Sequence, residues 1–246
     1  MRTTKPATAF LEGVDACIIF DHFVSYNSGD QWTSVLTDSG TVTIETTYPG
    51  GVMLLTASDG SVADNDEAYV GLTAKIFTIA ARQPLVFEAQ VLTTEANTDD
   101  QNTMIGFSST NAANMLVDDG AGPPSSYTGA VFFKTDGDTV WQCETSKSTT
   151  QTTTRLVAGT TYTQDGAILS LSTSWQKLRI EILPKNGITA CDVTFQIDGK
   201  TVAVHKDVDF SSAAAMSPVF GIKNGGANNE FLRVQYCYAS QVIDHQ

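Results

Sequence analysis

The sequence is poor in charge. Charged residues make up 17% of the 246, where about 25% is ordinary for a globular chain. What charge there is leans one way: 14 Lys and Arg stand against 27 Asp and Glu, a formal net of −13. Nucleic acid is bound by neutralising its phosphates with Lys and Arg. Here those residues are scattered without a basic stripe, so nucleic acid is excluded as a direct partner, and anionic membrane surfaces with it. Long apolar runs are missing too, and none approaches the ~20 residues that span a bilayer. The opening Met1-Arg2-Thr3-Thr4-Lys5-Pro6 has the charge of a signal peptide, but Glu12 and Asp15 interrupt the one candidate apolar stretch. Synthesis in the cytosol is the expectation.

The groups that carry common chemistries are scarce as well. Cys17, Cys143, Cys191 and Cys237 form no C-x-x-C pair. A chain of this length buries about three quarters of its unfolded surface and needs no disulfide staple. The last three cysteines sit in strand-like runs and read as small buried hydrophobes. There is no G-x-S-x-G nucleophile elbow and no Gly-rich phosphate cradle. Only three histidines occur. His22 neighbours Asp21 and reads as part of a strand-end pair rather than a catalytic base. His205 reads as solvent-facing on a hairpin, and His245 lies in the terminal tail.

Thr, Ser, Asn and Gly replace the missing charge, and β-branched Thr suits a pleated surface facing water. Residues 1–13 read as a polar arm, and residues 14–246 as one all-β domain. Leu178, Ile180 and Ile182 alternate with Arg179 and Glu181, and Val193, Phe195 and Ile197 with Thr194 and Gln196. Leu232, Val234, Tyr236 and Tyr238 alternate with Arg233, Gln235 and Cys237 in the same way, and such alternation marks sheets with one buried and one wet face. Asp198-Gly199, Asp136-Gly137 and Asn186-Gly187 supply hairpin turns. Further strands are predicted at 16–23, 41–47, 52–56, 68–79, 85–93, 104–108 and 219–222. Residues 118–127 read as a loop, 211–215 as a single helical turn, and 224–229 as a long hairpin loop. The Thr-rich run 146–154 is either an edge strand or a linker. About a dozen short strands with turns between them predict a sandwich.

The order of these motifs resembles the concanavalin A-like (laminin-G-like) jelly-roll superfamily. Phe87-Glu88-Ala89-Gln90-Val91 precedes Ile105-Gly106-Phe107. Ser174-Trp175-Gln176-Lys177-Leu178-Arg179-Ile180 is similar to that family's W-x-x-L-x-I strand, and Val193 to Lys200 to its F-x-I-D-G hairpin. Pro218 to Asn224 then leads to the closing strand at Leu232–Tyr238. The resemblance spans residues 84–240, and 14–240 with the first strands. It implies two antiparallel sheets in a jelly-roll β-sandwich. Lectins, glycanases, adhesion modules and structural domains of phage particles share that fold, so fold alone does not assign function.

Each implied chemistry can be set against the residues. The glycanase signature E-x-D-x-x-E, which places paired carboxylates on one strand, is absent, so the chain reads as a non-enzyme. Lectin-like members hold calcium through loop oxygens. Asp99-Asp100, Asp118-Asp119 and Asp136/Asp138 are the acidic pairs that would serve, though none forms a calcium loop. For glycans, Trp141 with Asp136 and Asp138, Tyr127, and Asn228-Asn229 are the candidates. A tryptophan on a strand is more often core than platform, and Trp32 and Trp175 read as core. The expectation for function is a virion structural protein that decorates a tailed-phage head. Arg2, Lys5, Phe10 and Leu11 of the arm would dock on capsid proteins, and a homo-oligomer such as a trimer would suit the lattice. The alternative is a carbohydrate-binding, lectin-like module.

Overall fold

Alternation and turn chemistry translate into fifteen strands and no helix among the described residues. The computed structural model describes residues 15–38, 40–58, 63–95, 101–118, 122–162, 169–170, 174–185 and 187–243. One sheet has eight strands. In spatial order they are β3 (Thr41–Glu45), β4 (Val52–Thr56), β15 (Phe231–Val242), β6 (Leu85–Thr94), β11 (Gln176–Pro184), β12 (Cys191–Ile197) and β13 (Lys200–Val208). The eighth, β1 (Ala16–Asp21), pairs with the second half of β15. The other sheet runs β2 (Trp32–Thr37), β5 (Glu67–Leu72), β14 (Ser217–Asn224), β7 (Gln101–Ser108), β8 (Tyr127–Lys134), β9 (Gln142–Ser148), β10 (Thr150–Arg155). Every pairing is antiparallel, and the two sheets form the predicted jelly-roll sandwich.

The core lies between the sheets, where alternate residues of each strand meet. Phe87 and Phe195 of the eight-stranded sheet contact Phe107, Phe220 and Phe132 of the other at ring centroid distances of 5.3–6.0 Å. Tilted pairs of this kind add about 0.5–1.5 kcal/mol each beyond simple burial. Cys143, Cys191 and Cys237 are buried free thiols, as small hydrophobes would be. Burial pushes the thiols of Cys143 and Cys237 up, and that of Cys191 to about 11. Trp32 belongs to the core, its indole N–H donating to Asp21 at 2.8 Å. Trp175 does not. It is half-buried and packs edge-on against Tyr48 at 5.4 Å.

The turns explain where the chain reverses. Asp198 and Gly199 both take positive φ (50° and 78°), the signature of a two-residue primed hairpin between β12 and β13. The Thr-rich run forms the β9–β10 hairpin, with β10 as an edge strand. Two predictions fail here. Residues 224–229 are no hairpin loop, because they carry the chain from β14 in one sheet to β15 in the other. Residues 211–215 hold a turn with Ser212 at φ 58°, not a helical turn.

One departure from regular pairing shapes the outer surface. In β15, Val234 pairs with Val91, but Tyr236 pairs with the adjacent Gln90. Gln235 is therefore an extra residue, a β-bulge. Before it, Leu232 and Val234 point into the core; after it, Cys237 and Ala239 do. Tyr236 and Tyr238, which regular alternation places on one face with Leu232 and Val234, are turned to the outside.

Gly106 in β7 is required by the packing. Its φ of 149° disfavours any side chain, and a Cβ there would meet the Ala130 carbonyl oxygen and the Ile180 side chain. Gly106→Ala is expected to destabilise the fold by about 2–3 kcal/mol, as overpacking of a filled core does. The shift of the urea midpoint measures it.

Candidate functional site

Most residues singled out from the sequence are structural. Trp141 is fully buried, ringed by core residues, and its indole N–H donates to Gln176 Oε1 at 3.1 Å. It offers no face to a sugar. Tyr127 is also buried, and its hydroxyl donates to Glu144 Oε1 at 2.8 Å. Asp138 accepts from Arg155 at 2.6 Å and from the backbone N–H groups of Thr139 and Val140, so it caps its own loop. Asp136 is half-buried, with its backbone N–H on the Asn102 side chain at 2.8 Å. Asn229 clasps Ser58 through both its amide atoms. Arg2, Lys5, Phe10, Leu11 and His245 lie outside the described residues.

The outer face of the seven-stranded sheet is closed. Residues 109–118 and 122 lie across it, and Met115 and Leu116 form a second apolar cluster with Tyr69, Val131, Phe133 and Val219 of the sheet. A buried polar network pins the segment. Glu67 accepts from the Tyr69 hydroxyl at 2.8 Å and from the Asn114 N–H at 2.9 Å. The Lys223 ammonium donates to Asn114 Oδ1 at 3.0 Å, to the Leu116 carbonyl at 3.1 Å and to Asp118. Burial and the neighbouring Glu67 push the Tyr69 hydroxyl up, so it stays a donor.

These commitments also bear on metal binding. Asp118 serves Lys223 and Asp138 serves Arg155, while Asp99, Asp100 and Asp119 lie outside the described residues. Calcium takes about six to eight oxygen ligands, and the described acidic pairs do not supply them. Among the described residues no group of three or more His, Cys, Asp or Glu side chains is placed to hold a metal ion.

The open side chains gather instead on the outer face of the eight-stranded sheet, where β1 lies against β15. Phe20 is 57% exposed. Its ring lies 4.7 Å from His22, 6.0 Å from Tyr236 and 6.2 Å from Tyr238, centroid to centroid. These rings meet at 66–71°, so the cluster is stepped rather than flat. Beside it the Tyr236 hydroxyl donates to Glu88 Oε1 at 2.7 Å. Burial and Glu88 push that hydroxyl up, which keeps it protonated. Arg179 joins Glu88 at 3.2 Å to Glu181 at 2.6 Å.

The end of β1 is built to present these rings. Alternation sends Asp21 inward and His22 outward, so the two do not act together. Asp21 instead accepts from the Phe23 N–H at 2.7 Å and from the Trp32 indole. Phe23 is buried with φ at 51°, a left-handed backbone that is strained for a bulky residue. Such strain clusters at functional sites. No sequence signal marks this cluster, because the bulge at Gln235 reverses the facing that regular alternation predicts for the two tyrosines.

No protein-family model matches the sequence, and no curated protein does. Solved structures share the fold. The carbohydrate recognition domain of Emp46p in its potassium-bound form superposes with a TM-score of 0.57 at 12% identity, covering 89% of this chain and 94% of that one. Peanut lectin gives 0.56 at 10% identity, with coverage of 94% and 100%. The endo-β-1,4-glucuronan lyase of the fungus Trichoderma reesei gives 0.52 at 8% identity, with coverage of 90% and 94%. The chain therefore has the lectin-like, concanavalin A-like jelly-roll fold. One of these neighbours is named as a carbohydrate recognition domain, one as a lectin and one as a lyase.

His205, expected to face solvent, is buried and bridges the two sheets. Its Nδ1 lies 3.0 Å from the Thr145 hydroxyl of β9, and its Nε2 3.0 Å from the Thr154 hydroxyl of β10. Burial lowers the imidazole from 6.5 to about 4. The unfolded chain thus takes up this proton first as pH falls. The stability the neutral ring contributes is whole above pH 6.5 and is lost as pH drops through 4. The loss across that window is about 3 kcal/mol. His205→Gln is expected to flatten this slope in acid-denaturation curves, and an unchanged slope would contradict the assignment.

Proposed function

We propose that the chain is a non-enzymatic carbohydrate-binding domain whose ligand rests on the Phe20, His22, Tyr236 and Tyr238 cluster. The observation that carries this reading is a cluster of four rings on a sheet face, Phe20 and His22 exposed and Tyr236 and Tyr238 half-buried, next to hydrogen-bonding groups held in place. A sugar ring has an apolar C–H face and a polar rim. Aromatic faces take up the first, and oriented carboxylate and guanidinium groups hydrogen-bond the second. The fold supports the reading, since Emp46p's domain is named for carbohydrate recognition and the peanut protein as a lectin.

Against catalysis stands the state of the carboxylates on this face. Glu88 and Glu181 share Arg179, and Glu88 also receives the Tyr236 hydroxyl. Glycoside hydrolysis needs two carboxyl groups facing one bond, one of them to donate a proton, whereas here both carboxylates are engaged by a single guanidinium. Glu144 is raised by burial, but Tyr127 and Thr153 hydrogen-bond it on a sheet face that the 109–118 segment covers. Docking on a capsid would depend on arm residues outside the described ones, and none of the three neighbours above is named as a virion protein. The glycan reading is therefore preferred.

An open platform binds weakly, and a Kd near 1 mM corresponds to about −4 kcal/mol. Phe20→Ala and Tyr238→Ala are each expected to weaken binding about tenfold, equivalent to ~1.4 kcal/mol, on a glycan array followed by calorimetry. Folding is checked by circular dichroism. Retention of full affinity in the double variant would overturn the placement of the site. Release of reducing ends from any bound glycan would overturn the non-enzymatic reading.

A further inference from the structure

The aromatic cluster is one end of a longer row. On the outer face of the eight-stranded sheet the strand register aligns one residue from each of six neighbouring strands: Phe20 pairs with Tyr238, Tyr238 with Glu88, Glu88 with Arg179, Arg179 with Gln196, and Gln196 with Thr201. All six are at least partly exposed, while their neighbours Phe87, Ala89, Ile180, Phe195 and Cys237 are buried. Strands lie about 4.8 Å apart, so five steps carry the row roughly 24 Å across the sheet. Its first two members are aromatic and the next four are hydrogen-bonding groups.

We infer that this row is a binding track for a neutral oligosaccharide chain lying across the strands, anchored at the Phe20–Tyr238 end and hydrogen-bonded by Glu88, Arg179, Gln196 and Thr201. This rests on the carbohydrate-binding reading and names the ligand class and the extent of its site. A single sugar covers the aromatic end and leaves the polar members unused. Each further unit of a chain reaches the next strand.

Charge decides the class of chain. Arg179 is held between Glu88 at 3.2 Å and Glu181 at 2.6 Å, so its cation is already compensated. Lys177 stands in the adjoining row, where it pairs with Gln90. Two carboxylates against two cations leave the face locally neutral. The chain as a whole carries −13, a field that repels polyanions and leaves neutral chains unaffected.

The test uses the full chain titrated calorimetrically with neutral gluco- and manno-oligosaccharides of one to six units and with oligouronates of the same lengths. Affinity for a neutral series is expected to rise about tenfold or more from disaccharide to hexasaccharide. Gln196→Ala is expected to weaken the hexasaccharide about fivefold and to leave the disaccharide unchanged, while Phe20→Ala weakens both. Oligouronates are expected to bind about tenfold more weakly at low salt. Length-independent affinity, an inert Gln196→Ala, or tighter binding of oligouronates would overturn the track and leave the carbohydrate-binding reading standing. Absence of binding to every oligosaccharide would overturn both.

Discussion

One extra residue in β15 decides what the eight-stranded sheet shows to solvent. A strand has a side-chain period of two, so inserting Gln235 between Val234 and Tyr236 inverts the facing of everything that follows. Leu232 and Val234 fill the core on one side of the bulge, and Cys237 and Ala239 fill it on the other. The two tyrosines are left outside, where β1 brings Phe20 and His22 alongside them. A regular β15 would bury Tyr236 and Tyr238 and turn Cys237 and Ala239 outward.

The opposite face shows the converse arrangement. There the 109–118 segment closes the sheet with Met115 and Leu116, and a network around Lys223 and Glu67 ties Asn114, Leu116 and Asp118 of that segment to the strands. A buried ion pair is weak evidence of net stability, yet removing one partner leaves the other charged and unsolvated. Such a network fixes the segment in one place and commits that face to structure. The two faces therefore divide the work: one is sealed, and one keeps oriented polar groups and exposed rings in contact with solvent.

Much of the fold was legible in the residues. Leu178, Ile180 and Ile182 against Arg179 and Glu181 gave both the strand and its facing, and Asp198-Gly199 gave a hairpin of the expected kind. Trp32–Thr37 escapes a reading by pattern, because Thr and Ser interleave its apolar residues, even though Ser28-Gly29-Asp30 and Asp38-Ser39-Gly40 bracket it. The site was almost illegible. Trp141 and Tyr127 belong to types that often bind sugars, but residue type carries no information about which face a side chain takes. Tyr236 and Tyr238 follow a regular alternation up to the bulge, and no local rule marks Gln235 as the extra residue. His205 is buried where a hairpin position suggests solvent, because that position says nothing of the second sheet that packs over it.

The central claim is that ligand binding falls on the face the bulge creates. It is tested most directly by aromatic proton–carbon correlation spectra of the full chain, titrated with a neutral hexasaccharide. The account predicts saturable shifts at Phe20, His22, Tyr236 and Tyr238, with Tyr69, Tyr127 and Trp141 unmoved. Shifts confined to Tyr69 and Tyr127, on the face sealed by the 109–118 segment, would contradict it, as would a spectrum that does not respond.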